Sequence, residues 1–482
     1  MIAYRPILFL DGLLLLALAA AMGAPAVAGI LTGSGDGAIF AGCALGTLFL
    51  AGAMVLGAWP ERSLRLDLRQ SFLLAVSGVA LTSLCAAFPL RFASSSLSFA
   101  DAWFEAVSGL TTTGATVMKG LDQMSHAVLL WRALLNWLGG IGIIMMGVVM
   151  MPTMKIGGLQ LFQRDVAEGR AGLRKKIAKA GLLVGIGYSA LTLLTLIGFL
   201  LTGMGPFDAL CHALSAISTG GFSTSDWSLR HWGHAAHWVA IAAMVAGASP
   251  LPLALLYRLR FAVHPLWDQQ FKVYLLLLMG FTVLQGGWLW NNGFPVDLNL
   301  LRLAGFSAVS IATTTGYAIT DVSVWGGFAH MGFFLMAFLG GCTGSASGGI
   351  KVFRWQVMGA NMWALVRRVV YPHRVIPISF NGITVSNDVT ESVYAFVAVY
   401  FLTFAVFTAL MAACGLDLLS ALSTSAAALG NVGRAMGDAF GPTGSWDGLS
   451  RAAKWLLSFE MIVGRLEIFA VLILFTPAFW KE

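Results

Sequence analysis

Long apolar runs separated by short polar connectors constrain this chain more than any other feature. Residues 6–31 and 38–58 each approach or exceed the roughly 20 residues that an α-helix needs to cross the hydrocarbon of a bilayer. Comparable runs follow at 71–88, 128–152, 180–203, 238–257, 273–290, 329–366, 389–414 and 450–480. Hydrophobic residues make up 58% of the chain and charged ones 11%, against about 25% charged in a typical soluble domain. An all-α polytopic membrane protein follows. Its 56 glycines suit close helix packing and re-entrant turns.

The net charge of +7 is not a nucleic-acid signature, because of where the charges lie. Lys and Arg cluster in four connectors, 62–69, 164–179, 258–272 and 351–374, the bias expected of cytoplasmic loops. That bias puts both termini in the cytoplasm. The first apolar run is too long for the core of a cleaved signal and lacks a strong basic leader, so it reads as a retained helix. Cys43, Cys85, Cys211, Cys342 and Cys414 are odd in number and lack CxxC spacing. They read as small apolar packers rather than a disulfide framework or zinc site.

Between the apolar runs lie four short tracts of another kind. They are Thr111-Thr112-Thr113-Gly114-Ala115, Ser218-Thr219-Gly220-Gly221-Phe222, Ala312-Thr313-Thr314-Thr315-Gly316-Tyr317 and Ala428-Leu429-Gly430-Asn431. Each follows a short amphipathic stretch, at 99–110, 206–217, 299–311 and 417–427. One plan thus occurs four times: helix, half-helix, glycine tract, second helix. The expected division is a two-helix hairpin over 1–67 and pore repeats over 68–176, 177–268, 269–380 and 381–482. This amounts to about ten transmembrane helices and four re-entrant segments, with the return helix of the third repeat broken.

All four tracts fall on the face opposite the basic connectors. Glycine permits the backbone angles that turn successive carbonyls toward one axis, where carbonyls replace the water shell of a potassium ion. A half-helix running inward brings its partially negative C-terminal end to the centre, which favours a cation. Non-helical backbone at membrane depth is tolerated only where it is buried in protein or lines a water-filled cavity. The expected fold is therefore four helix–re-entrant P-loop–helix repeats around a central pore, plus an N-terminal two-helix hairpin.

Four stretches carry a resemblance. They are Trp137-Leu138-Gly139-Gly140-Ile141-Gly142, Ser218-Thr219-Gly220-Gly221-Phe222-Ser223-Thr224, the glycine-rich run from Gly340 to Lys351, and Gly464-Arg465-Leu466-Glu467-Ile468-Phe469. As an ordered set they resemble the Trk/Ktr/HKT superfamily of potassium transporters, most closely its TrkH type, over nearly the whole chain. The resemblance implies a potassium-selective filter with Gly114, Gly221, Gly316 and Gly430 as its glycines. Thr112, Thr113, Thr219, Gly220, Thr314, Thr315, Leu429 and Asn431 would flank them. Potassium would sit at Thr113, Gly114, Gly220, Gly221, Thr315, Gly316, Leu429 and Gly430. Glycine in all four places is the potassium-type pattern, and Arg434 stands where relatives often carry Pro.

The resemblance also makes Gly344, Ser345, Ala346, Ser347, Gly348 and Gly349 an intramembrane gating loop, with Lys351 at its edge and Arg465 as an electrostatic barrier. Lys351 and Arg354 would couple the loop to a partner. It implies uptake across the bacterial inner membrane, a homodimer, and a TrkA-type cytosolic subunit binding NAD and ATP, docked on 164–179 and 351–374. No cofactor bound covalently is expected; the nucleotide belongs to the partner. The alternative is a sodium- or proton-coupled potassium symporter, although no carboxylate, histidine or lysine lies in the tracts. An enzyme is not expected, since HExxH and GxSxG are absent. His231, His234 and His237 read as an interfacial anchor. Asp101, Glu105, Asp208, Asp226 and Asp321 would concentrate cations at the mouth or, for Asp101, Asp208 and Asp417, cap half-helices.

Overall fold

The computed structural model describes residues 4–60, 66–94, 96–150, 170–252, 268–373, 376–437 and 444–481. The basic connectors at 62–65, 164–169, 258–267 and Arg374 therefore lie outside the described residues. An N-terminal hairpin joins α1 (Arg5–Thr32) to α2 (Asp36–Gly57). Glycines let the two helices touch: a methyl built on Gly29 would lie 2.5 Å from the backbone nitrogen of Gly37. The hairpin packs on α3 (Leu68–Ala93) and α5 (His126–Met150). At the α1–α3 contact the hydroxyl of Ser77 donates to the buried carboxyl of Asp11 at 2.8 Å.

Four units follow. The first is α3, the half-helix α4 (Phe99–Leu110) and α5; the second is α6 (Arg170–Leu201), α7 (Pro206–Ile217) and α8 (His234–Gly247). The third is α9 (Gln269–Asn291), α10 (Leu298–Ala312) and the pair α11 (Gly327–Met336) and α12 (Val352–Val370). A short hairpin of β1 (Ser379–Phe380) and β2 (Ile383–Thr384) leads to the fourth. That unit holds α13 (Asn387–Ala413), α14 (Leu418–Leu429), α15 (Arg451–Arg465), α16 (Ile468–Leu472) and α17 (Pro477–Trp480). Arg69 at the start of α3 donates to the carbonyl of Lys481 at 2.8 Å, so the C-terminal end lies beside the start of the first unit.

Among the described residues seven helices are long and apolar enough to cross a membrane: α1, α2, α3, α5, α6, α9 and α13. The remaining three of the ten expected spans are short or broken, each for a local reason. Helix α8 stops because its last carbonyls are taken: Ala248 accepts from the amide of Cys342 (2.8 Å) and Gly247 from that of Ala346 (3.3 Å). Residues 337–351 separate α11 from α12. The expected single helix over 450–480 is interrupted at Glu467, whose φ of 63° no α-helix accommodates.

Three of the half-helices are wedged between their own unit and the one before it around the ring, while α14 packs on α13 and α15 of its own unit. Helix α7 packs on α6, α8 and α5, α10 on α9, α11 and α8, and α4 on α3, α5 and α15. Glycines make these crossings close. Methyl groups built on Gly139, Gly247 and Gly464 would lie 2.1, 2.4 and 2.0 Å from the carbonyl oxygens of Leu110, Ile217 and Leu429, the last residues of α4, α7 and α14. Gly139→Ala is accordingly expected to destabilise the protein by at least about 1–3 kcal/mol. Gly142→Ala, with nothing within 4 Å of its added methyl, is expected to stay within about 0.5 kcal/mol. Thermal unfolding of both variants in detergent checks the contrast.

Candidate functional site: four glycine tracts above a buried loop

The four half-helices end in the same backbone motif. The caps are Thr111, Ser218, Thr313 and Gly430, and the next residues, Thr112, Thr219, Thr314 and Asn431, take positive φ between 51° and 59°. The amide after that bonds back to the third-last helical carbonyl. The pairs are Thr113 to Ser108 (2.8 Å), Gly220 to Ser215 (2.9 Å), Thr315 to Ser310 (2.9 Å) and Val432 to Ala427 (2.8 Å). This is a Schellman ending, in which the left-handed slot normally holds glycine. Here Thr or Asn holds it, at a steric cost of roughly 1–2 kcal/mol each.

Two residues further on, φ is positive again, at Gly114 (78°), Gly221 (76°), Gly316 (78°) and Gly433 (74°). A methyl built on Gly114 would lie 2.0 Å from the carbonyl oxygen of Gly220, and one on Gly221 1.8 Å from that of Thr315. The series continues from Gly316 to Val432 (2.1 Å) and closes from Gly433 to Thr113 (1.9 Å). Four tracts therefore form one closed ring, in chain order, with room for no side chain at any of the four positions. All four glycines line one cavity of about 210 Å³ at the mouth of the ring.

The ring corrects the expectation for the fourth tract. Gly433, not Gly430, is the counterpart of Gly114, Gly221 and Gly316, and Val432 replaces Leu429 as the carbonyl donor to the ring. Gly430 has an α-helical φ of −75° and caps α14. The Leu429 carbonyl is turned against Gly464 and that of Gly430 against Gly348. Asn431 keeps its place beside the tracts, donating to the hydroxyl of Thr113 and the carbonyl of Met461, both at 3.0 Å. The half-helix runs to Leu429, past the expected end at 427, and this moves the tract along.

Against the ring lies the loop between α11 and α12, and every loop residue expected there is present. Its ends are pinned by the amide of Gly340 on the Ile350 carbonyl (2.8 Å) and that of Ile350 on Phe338 (3.2 Å). The amide of Gly348 donates to the hydroxyl of Thr314 (2.8 Å), which also meets the Ser347 hydroxyl (3.0 Å). Arg465 donates to the Ala346 carbonyl at 2.6 Å, and Lys351 donates to the carbonyl of Ser347. Gly344 and Gly349 take positive φ, 82° and 66°, and Ser345 hydrogen-bonds back to Cys342 at 2.6 Å. A cavity of about 100 Å³ borders the loop, lined also by Ile143, Gly147, Arg354 and Phe396.

Arg354, expected at the cytoplasmic edge of the loop, is held within the chain itself. It is buried, its guanidinium lies 3.6 Å over the Phe396 ring, and it pairs with Glu467 at 2.5 Å. The helix break at Glu467 thus delivers a carboxylate to the start of α12. Arg465 and Glu467 do not pair with each other. Two nitrogens of Arg465, Nε and Nη1, are buried with no partner among the described residues.

The five acids are engaged by the fold. Asp101 sits in a capping box with Ser98 and pairs with Lys454 at 2.7 Å. Asp208 does not cap α7; it accepts from the Thr224 hydroxyl (2.6 Å). Asp226 accepts from the amides of Gly120 (2.8 Å) and Leu121 (3.1 Å), and Asp321 from that of Ser323 (2.9 Å). Glu105 lies wholly buried with Arg132 (2.8 Å), and also accepts from Thr116 and Val117. Arg132 continues to the carbonyl of Ser223 (2.9 Å) and lies 4.2 Å from the Phe222 ring centre, bridging the first tract to the second. His237 is no surface anchor: it is buried between the Leu229 carbonyl and Arg302.

Over residues 39–287 and 299–482 the chain matches the model of the TrkH family, described as cation transport protein. The chain belongs to the TrkH family. It is accordingly a multi-pass membrane transporter, not an enzyme. The Trk system potassium uptake protein TrkI of Halomonas elongata is 38% identical, over 86% of this chain and 84% of that relative. The potassium uptake protein TrkH of the same organism is 35% identical over 99% of both chains, and that of Escherichia coli K12 32% identical over 99% and 100%. The crystal structure of the potassium transporter TrkH from Vibrio parahaemolyticus superposes with a TM-score of 0.90 at 31% identity, covering 100% of each chain.

Within this TrkH-family chain, the Arg132–Glu105 bridge, Asp11 and Trp446 escape sequence reasoning. Trp446 is fully buried, and clamps the fourth tract to the first through the Gly433 (3.1 Å) and Thr116 (2.9 Å) carbonyls. A lone ionisable residue inside an apolar run was the available signal for Asp11 and Arg132. Arg132→Met is expected to cost roughly 3–5 kcal/mol by stranding the Glu105 carboxylate, and Arg132→Met with Glu105→Gln to recover much of that. Thermal unfolding in detergent checks this. A single variant within a degree of wild type would remove the bridge from the account.

Proposed function

We propose that the four-tract ring is a potassium filter and that the protein takes up potassium through it, channel-like, driven by the membrane potential. The closed ring of glycine–carbonyl contacts is the observation that carries this reading. It brings together four half-helix C-termini, whose partial negative charge favours a cation, and four segments with alternating left-handed residues. Such segments can present successive carbonyls to an ion in place of water. The hydroxyls of Thr112 and Thr219 are buried with no partner among the described residues, leaving oxygens for an ion at the base of the filter. The relatives' names as potassium uptake proteins support potassium as the cargo.

On this reading the glycine-rich loop is the gate and Arg465 holds it shut through Ala346. The mouth faces outward across the bacterial inner membrane, and both termini are cytoplasmic. A homodimer and a TrkA-type subunit carrying NAD or ATP complete the proposed assembly, the latter docking on the basic connectors and the exposed Arg367 and Arg368 of α12.

Rubidium and sodium flux into proteoliposomes tests the filter. Gly433→Ser and Gly316→Ser are each expected to lower the rubidium-over-sodium ratio by about tenfold or more, a change of about 1.4 kcal/mol in relative barrier. An unchanged ratio would refute the filter. Flux that requires an imposed sodium or proton gradient would favour the coupled symporter. Arg465→Gln, which removes a charge-assisted bond of about 1.5–3 kcal/mol, is expected to raise basal rubidium flux roughly tenfold. Equal flux would refute the latch.

A further inference from the structure

The residue after each ring glycine is Ala115, Phe222, Tyr317 or Arg434. The first three are uncharged and buried, with at most 2% of their surface exposed. Phe222 lies under the Arg132 guanidinium, and the Tyr317 hydroxyl donates to the Phe222 carbonyl at 3.2 Å. The fourth place holds a half-buried cation. Arg434 lines the mouth cavity together with all four ring glycines. It also lines a smaller pocket of about 20 Å³ with Asp226, Arg230 and Asp321. Although burial works against it, hydrogen bonds from Ser323 and the charges of Arg434 and Arg230 hold the Asp321 carboxyl below its usual range. The Arg434 charge is therefore felt at the rim.

We propose that Arg434 is a specificity-determining residue of the mouth, a fixed positive charge that opposes cation entry and sets the external potassium concentration at which the filter fills. The inference rests on the filter reading of the ring. Two of the acids near the mouth are neutralised by their own cations, Asp101 by Lys454 and Glu105 by Arg132, while Asp226 accepts from two backbone amides and keeps its charge at the rim. Asp321 faces Arg434 across the small pocket, which Asp226 and Arg230 also line. An entering monovalent cation meets the guanidinium in a cavity walled by protein, where screening is weaker than in bulk water.

Rubidium uptake by cells that lack other potassium uptake systems, measured against external rubidium, tests this. Arg434→Gln is expected to lower the half-saturating concentration about three- to tenfold at low ionic strength, the effect shrinking when an impermeant salt is added. Arg434→Lys keeps the charge and is expected to match wild type; Asp321→Asn removes the counter-charge and is expected to raise the half-saturating concentration. An Arg434→Gln curve that overlays wild type overturns the proposal. So does Arg434→Lys behaving like Arg434→Gln, which would make the guanidinium a geometric strap between the third and fourth units. The rubidium-over-sodium ratio of the Arg434 variants, measured beside Gly433→Ser, separates the two readings. If Gly433→Ser leaves that ratio unchanged, the filter fails whatever Arg434 does.

Discussion

Four glycine α-carbons pressed against four carbonyl oxygens are the contact on which the rest of this structure depends. Each glycine has a positive φ that a side chain would strain, and each has a neighbouring carbonyl about 2 Å from where a methyl would stand. Only glycine satisfies both conditions, and it must do so in all four tracts for the ring to close. The Thr and Asn residues two positions earlier pay for the same backbone turn in strain without glycine's freedom. What they supply in return is a polar side chain at the foot of the ring: Thr314 binds the loop, Asn431 binds Thr113, and Thr112 and Thr219 keep buried hydroxyls without a protein partner.

The ring is held from behind by unlike devices. Between the first and second tracts the brace is a buried ion pair, Arg132 with Glu105; between the second and third it is the Tyr317 hydroxyl on the Phe222 carbonyl. Trp446 joins the fourth to the first. Buried charge is costly unless fully bonded, and Glu105 is bonded to Arg132, Thr116 and Val117 at once. The pseudo-fourfold arrangement is thus a property of the backbone, while the side chains around it have diverged. That divergence is why the residue after the ring glycine is a cation, Arg434, in the fourth tract and uncharged in the other three.

Next to the ring, the interrupted helices serve one layer. Helix α8 ends, α11 and α12 part, and α15 breaks where the chain meets the glycine-rich loop. The carbonyls of Gly247 and Ala248, freed at the end of α8, accept loop amides. The break at Glu467 places a carboxylate on Arg354. Arg465, two residues before that break, reaches the loop's own carbonyl at Ala346. Residues that look in sequence like a misplaced charge pair in an apolar helix are thus two separate attachments of one loop.

By itself the sequence determined the class of the protein, because apolar run length and the placement of basic residues answer to the bilayer and not to tertiary contacts. It also placed α4 and α7 to the residue and found three of the four ring glycines, since a hydroxyl-rich tract after an amphipathic half-helix is a local pattern. Only the tertiary structure decided the fourth. Gly430 and Gly433 are both glycines, and local pattern does not tell which one loses its side-chain space to the Thr113 carbonyl of a unit more than 300 residues away. The partners of Asp11, Glu105, Arg354 and Arg434 were likewise beyond it. A buried charge is satisfied by whichever group the fold brings to it, and that group sits at no fixed distance along the chain.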